Sequence, residues 1–190
     1  MKHVTIWTAM LILVMGVAAP AEAQRSGFII GFGLGPGVAS YTGSSRSFPS
    51  DRETEIGLAT DFHIGGVIGD SFELYFMSKM IFINDIRAGP VATGVNGVGF
   101  TYPLNPDFYI NGGVGVGLWA EIDPFFVPFS EPRPGEFYTG FGLVAGGGYR
   151  LSERWVLDFD IMYARPGDDS NDISMLGAQL SINVLSLSNR

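Results

Sequence analysis

The sequence predicts an all-β fold, a membrane-spanning eight-stranded antiparallel up-and-down β-barrel, and three observations carry that prediction. From residue 27 onward the chain falls into about eight stretches that alternate apolar residues with small or polar ones at period two. Long and short connections alternate between them, as in transmembrane barrels, whose short turns and long loops lie at opposite ends. Beyond the leader, no apolar run reaches the roughly 18 residues of a membrane helix, so a chain integral to a membrane must cross it as a closed barrel.

The stretch from Phe108 to Trp119 shows the pattern most plainly. Phe108, Ile110, Val114, Val116 and Leu118 are apolar, with Gly112 breaking the series, and the alternate positions are Tyr109, Asn111, Gly113, Gly115, Gly117 and Trp119. A soluble sandwich would turn the apolar face inward and carry Lys, Glu or Thr on the other, where this chain has a row of glycines. A membrane strand of roughly 9 to 11 residues, apolar towards lipid and small or polar towards the lumen, fits it.

The chain opens Met1-Lys2-His3, runs apolar from Val4 to Ala19 apart from Thr5 and Thr8, and continues Pro20-Ala-Glu-Ala-Gln24. That reads as a signal peptide over 1–23, cleaved after Ala23, with 24–190 forming one barrel domain in the outer membrane. Cleavage removes one base, Lys2, and one acid, Glu22, so the net charge stays at −8. Such acidity argues against nucleic acid as a partner. Cysteine is absent, which excludes disulfides and cysteine-ligated metal.

The first strand is predicted over Gly27 to Val38, its regular part ended by Pro36, before a polar loop from Ser40 to Thr54. The second runs from Glu55 to Ile68, with Ile56, Leu58, Thr60, Phe62 and Ile64 towards lipid, and Gly69-Asp-Ser71 turns the chain. The third covers Phe72 to Phe82, a loop spans Asn84 to Ala92, and the fourth covers Thr93 to Tyr102. Pro103 to Asp107 is a turn into the fifth strand. A long loop of prolines and aromatics, Ala120 to Gly135, is excluded from a sheet interior. The sixth strand covers Phe137 to Arg150, with a short turn at Ser152, and the seventh covers Trp155 to Tyr163, where Trp155, Leu157, Phe159, Ile161 and Tyr163 alternate with Val156, Asp158, Asp160 and Met162. A loop from Arg165 to Asp172 precedes the eighth strand, Ile173 to Val184.

If the N-terminus is periplasmic, Phe72, Tyr102, Phe108, Tyr149 and Trp155 flank the short turns on the lipid-facing phase. They are the expected aromatic girdle of the inner interface. The turns also predict register. They pair Ile68 with Phe72, Asp61 with Lys79, Tyr102 with Phe108, and Tyr149 with Trp155. The inward phase then collects Asp61, His63, Glu73, Lys79, Arg150, Asp158 and Asp160.

Together these residues resemble the small eight-stranded outer-membrane β-barrels of Gram-negative bacteria, of the OmpA transmembrane-domain, OmpX and OmpW kind. The resemblance spans the mature chain and rests on architecture and on Gly-Phe-Gly-Leu-Gly at 31–35, Gly-Val-Gly-Val-Gly at 113–117 and Gly-Phe-Gly-Leu-Val at 140–144. It implies outer-membrane lipids and lipopolysaccharide as surroundings and the outer-membrane insertion machinery as an assembly partner. Members usually end in an aromatic residue; this chain ends Leu185-Ser-Leu-Ser-Asn-Arg190, so either the signal is degenerate or assembly follows Leu185 or Leu187.

An eight-stranded barrel is just wide enough for its own side chains, which favours a polar plug with paired charges over an ion path. His63, the one histidine after the leader, has no serine recruited to it and gives no catalytic triad. Asp168, Ser170 and Asp172 have the spacing that opens a calcium loop, without its glycine and closing glutamate, so no metal is expected. Phe125, Phe126 and Phe129 could bind a surface partner or hydrophobic solute, or cover the barrel mouth. The leading expectation is a cofactor-free, non-enzymatic outer-membrane barrel with an envelope-structural or surface-interaction role. Its rivals are a narrow pore for ions or small hydrophobic solutes, a lipid A-modifying enzyme, and a soluble lipocalin-like carrier with the greasy face inward.

Overall fold

A computed structural model of the chain describes residues 27–43, 51–68, 72–85, 89–122, 137–152, 154–168 and 172–188. The leader 1–23, the Gly69–Ser71 turn and the loop with Phe125, Phe126 and Phe129 lie outside the described residues. Eight strands follow in order: β1 (Phe28–Gly43), β2 (Glu53–Ile68), β3 (Phe72–Asp85), β4 (Gly89–Pro103), β5 (Phe108–Glu121), β6 (Phe137–Arg150), β7 (Trp155–Gly167) and β8 (Ile173–Ser188). Each pairs antiparallel with the next, and β8 pairs with β1 to close the barrel. Closure leaves no sheet edge, so the ladder satisfies its own backbone groups as a bilayer requires.

Side chains alternate across the wall as the period-two pattern dictates. Phe32, Leu58, Phe76, Val114, Phe159 and Leu180 are exposed outside, while Met77, Trp119, Asp160, Met162 and Gln179 are buried inside. An apolar exterior around a closed sheet suits lipid, and it overturns the lipocalin-like arrangement, in which Phe108, Trp155 and Phe159 would be core residues.

The strands are longer than the sequence predicts, chiefly at the end that carries the loops. β1 passes through Pro36, which pairs with Leu58 of β2, and continues to Gly43. Lacking an N–H, Pro36 is skipped with Gly35 on the β8 side, where pairing runs from Leu34 with Ile182 to Gly37 with Gln179. The proline interrupts one ladder without shifting the phase. Similarly, β3 and β4 zip up to Asp85 opposite Gly89, so the expected loop from Asn84 to Ala92 is mostly strand. Gly89 takes φ +80°, a conformation that glycine adopts at no steric cost, and this lets the chain return so abruptly. β7 likewise runs through Arg165 and Pro166 to Gly167.

At the opposite end, the turns are tighter than expected. Ile68 pairs with Phe72 as predicted. Tyr102, however, faces Ile110 and Tyr149 faces Leu157, a shift of two residues that keeps every side chain on its predicted face. The cause is side-chain capping. Asn105 Oδ1 accepts from the amides of Asp107 at 3.0 Å and Phe108 at 2.8 Å, while the Leu104 amide bonds the Phe108 carbonyl at 2.8 Å. Ser152 Oγ accepts from the Trp155 amide at 3.2 Å, and the Leu151 amide bonds the Trp155 carbonyl at 2.9 Å. Asn and Ser mimic a backbone turn in this way, so pairing continues two residues further on the incoming strand, to Leu104 and Leu151, while the outgoing strand still begins at Phe108 and Trp155.

Gly97 and Gly115 face each other across β4 and β5 with their backbones in close approach. A Cβ on Gly115 would lie 2.5 Å from Gly97 Cα and 2.7 Å from the Asn96 carbonyl carbon, and no side chain can move to relieve that clash. Gly115→Val is therefore expected to cost about 1–3 kcal/mol or more. Electrophoresis of unboiled samples is the check: the wild-type barrel keeps its compact, fast-migrating form, and the variant loses it at a lower temperature.

Candidate functional site

The inward phase of β2, β3, β6, β7 and β8 brings the predicted polar residues together in the half of the barrel nearer the short turns. Asp61 stands opposite Lys79 in the ladder, as the register predicts. Lys79 Nζ donates to Asp61 Oδ2 and, at 2.7 Å, to Asp160 Oδ2, which also accepts from Gln179 Nε2 at 3.2 Å. Asp158 has no such cation. It accepts from the Tyr109 hydroxyl at 2.6 Å and from Asn183 Nδ2 at 2.7 Å. Nearer the turns, Arg150 Nη2 approaches Glu73 Oε1 at 3.5 Å and its guanidinium lies 5.9 Å from the centre of the Tyr109 ring.

His63 lies with its Nδ1 3.6 Å from Asp61 Oδ1 and its ring centre 5.1 Å from that of Tyr75. The neighbour that the sequence did not reveal is therefore a carboxylate. Both groups point into the barrel. The Tyr75 hydroxyl donates to the Phe100 carbonyl at 3.1 Å and lies 3.0 Å from Thr101 Oγ1. Between these groups a cavity of about 20 Å³ is lined by Asp61, Glu73, Asn111, Arg150 and Asp158 among others. That is room for about one water molecule.

The half nearer the loops is filled differently. Tyr41 and Trp119 pack edge to face with ring centres 4.8 Å apart, within a buried cluster that includes Ile81, Ile83, Met162 and Met175. The expected polar plug thus occupies only one half of the lumen, and the other is largely apolar. Tyr41, Tyr138 and Ile83 escaped the sequence reading because Tyr41 and Ile83 fell in or beside predicted loops and Tyr138 beside one. The signal was present, since Tyr41 keeps the odd phase of Gly33, Gly37 and Ala39.

Outside, Phe72, Tyr102, Phe108, Tyr149 and Trp155 are all exposed near the short turns. Phe108 pairs with Tyr149, their ring centres 4.8 Å apart, and Phe72 stacks at 6.0 Å on Phe100. Phe100 also covers Gly112, the residue that interrupts the apolar series of β5: the two are opposed, and a Cβ there would lie 3.2 Å from the ring. At the loop end, Asp172 is held by Arg165 through Nε to Oδ1 at 3.0 Å and Nη2 to Oδ2 at 2.5 Å. Among the described residues no group of three His, Cys, Asp or Glu side chains stands where it could hold a metal.

A family model described as the outer membrane protein beta-barrel domain matches residues 8–184. Solved structures similar in fold include Ail, the attachment invasion locus protein of Yersinia pestis (11% identity, TM-score 0.51, covering 85% of this chain and 99% of that one). The Neisserial surface protein A, NspA, is 14% identical with TM-score 0.51, covering 83% of this chain and 95% of its own. The outer membrane protein OprG from Pseudomonas aeruginosa is 12% identical with TM-score 0.50, covering 88% and 99%. A search of curated proteins finds no match.

Lys79→Met would leave Asp61 and Asp160 facing each other without a cation. The expected loss is about 3–5 kcal/mol, read as a lower urea midpoint, and Asp61→Asn with Asp160→Asn in the same chain should restore most of it. At the rim, the bonds from Arg165 hold the Asp172 carboxyl below its usual range. A depressed folded value means that the clasp contributes above the ordinary carboxylate pKa and is lost as pH falls through the lower value. Amide protection at Ile173 should therefore drop as pH falls below about 4, and Arg165→Gln should abolish that dependence.

Proposed function

We propose, because this chain belongs to the family of outer membrane protein β-barrel domains, that it works as a closed, non-enzymatic barrel integral to the outer membrane. Its role is to support the envelope and to present its loops for surface interaction. The observation that carries the reading is the filled lumen. Side chains cross it at every level, from the half-buried Arg150 over Tyr109 near the turns, through the buried Lys79 between Asp61 and Asp160, to Tyr41 against Trp119 near the loops. A solute would have to part paired charges in one half and close-packed rings and methionines in the other, each at a cost of several kcal/mol.

The five exposed aromatics near the turns support an interfacial girdle, with outer-membrane lipids and lipopolysaccharide around the wall and the insertion machinery engaged during assembly. The position of His63 supports the non-enzymatic reading. A lipid-modifying residue has to meet its substrate at the lipid face, and His63 faces the lumen beside Asp61.

Planar-bilayer recording tests this function. The wild-type protein is expected to give no current steps above those of the bilayer, and Tyr41→Ala with Trp119→Ala is expected to introduce leak. Resolved wild-type steps that Lys79→Ala alters would replace the closed barrel with the narrow pore.

A further inference from the structure

At mid-depth the outer wall is apolar on five strands and polar on the other three. Near the midpoints of β1, β5, β6, β7 and β8 the outward residues are Leu34, Val114, Leu143, Ile161 and Leu180, all exposed. Near the midpoints of β2, β3 and β4 they are Thr60, Ser78 and Asn96, all half-buried. Ser78 stands directly opposite Asn96 in the ladder, and Thr60 is one outward step from Phe62, which faces Ser78 from the other side. The three strands are neighbours, so these residues form a single patch.

Asn96 keeps the phase of Val98, Phe100 and Tyr102, which are exposed, while Val95, Gly97 and Gly99 on the alternate phase are buried. Its Oδ1 is buried and accepts no hydrogen bond. An amide at this depth of a bilayer has no water to bond, and lipid chains carry neither donor nor acceptor, so its partner has to come from protein. Polar side chains within a bilayer join protein segments in this way.

We propose that this face, β2 to β4 about Asn96, is where two copies of the chain associate in the membrane. Insertion gives both copies the same orientation, so a symmetric pair has its two-fold axis along the membrane normal. A residue near that axis then meets its own counterpart at equal depth. An amide is both donor and acceptor, which makes Asn96 complementary to itself: the two copies exchange a pair of N–H···O bonds. The Asn χ2 torsion is broad, so either end of the amide can turn outward. The Ser78 and Thr60 hydroxyls widen the polar contact, and Phe76 and Val98, 48% and 39% exposed, supply packing on the turn side. A different protein would need a matching polar group at the same depth, whereas a second copy necessarily has one. The association goes beyond the closed-barrel reading and does not depend on it, because it engages the outside of the wall and leaves the lumen filled.

The chain has no cysteine, so single-cysteine variants of the full mature chain report contact without background. In phosphatidylcholine vesicles treated with a membrane-permeant copper oxidant, Val98→Cys should give a disulfide-linked dimer. Leu180→Cys, on β8 and therefore on the opposite side of the barrel from β4, should not. Adding Asn96→Leu to Val98→Cys should weaken association about tenfold or more, read from the lipid-to-protein ratio at which half the chain is cross-linked, and Asn96→Gln should retain it. Asn96→Leu places an apolar side chain against lipid, so its barrel should stay closed, which heat-dependent gel mobility checks. Absence of a Val98→Cys dimer would overturn the proposal, as would equal cross-linking through Leu180→Cys or an Asn96→Leu variant that cross-links as well as its parent. So would Val98→Cys linked, in native outer membranes, to another protein in place of its own copy.

Discussion

The narrowness of an eight-stranded barrel governs the rest of this structure. A closed sheet of that size has an interior that side chains alone can fill, so each large inward residue requires a small one nearby. Met77 lies against Gly113, where a Cβ would come within 2.7 Å of its sulfur, and the Gly97–Gly115 pair brings two backbones together. The glycine-rich repeats that give the sequence its appearance are the counterpart of Trp119, Tyr75, Met77 and Lys79.

The same confinement accounts for the two-part lumen. Near the loops, Trp119, Tyr41 and Met175 fill space by packing, which needs shape complementarity and little else. Near the turns, space is filled by groups that must also satisfy one another. Lys79 links β3 to β2 and β7, Tyr109 links β5 to β7, and Asn183 links β8 to β7. Asp158 and Asp160 on β7 are therefore the acceptors on which three other strands converge, β3, β5 and β8, the last through both Gln179 and Asn183. Removing one partner exposes another to an uncompensated burial cost, which makes this half specific in register as well as stable.

Most of the wall was legible in the sequence because period two is a direct imprint of a wall between two different environments. Phe159 and Asp158 could be assigned to opposite faces by parity alone, and Asp61 could be set against Lys79 from one short turn. Strand ends were not legible by the same means. Past Val38 and Phe82 the outward positions turn polar, at Ser40, Thr42 and Asn84, so alternation loses its contrast, and Pro36 looks like a stop when only one of its two ladders is affected. The two-residue error at the other turns came from counting all five residues of Pro103 to Asp107 as connection, without allowing the Asn105 side chain to close the turn. Within the lumen, the inward set was legible but its pairing was not: which of three aspartates receives Lys79 depends on barrel closure, and Asp160 lies 81 residues away in sequence.

These constraints leave little room for chemistry within the wall. Most outward positions are held apolar by their surroundings, and inward ones are held by volume and by charge pairing, so a substitution at either kind of position is felt as stability before it is felt as function. The rim is released from both demands. Arg165 and Asp172 form their pair in the open, where it adds little stability but fixes the base of the last loop, and Glu53 and Glu121 also lie at strand ends on that side. Recognition that depends on residue identity is accommodated there at least cost to the fold, which is why the surface-interaction reading places function on the loops and assigns the lumen to holding the barrel closed.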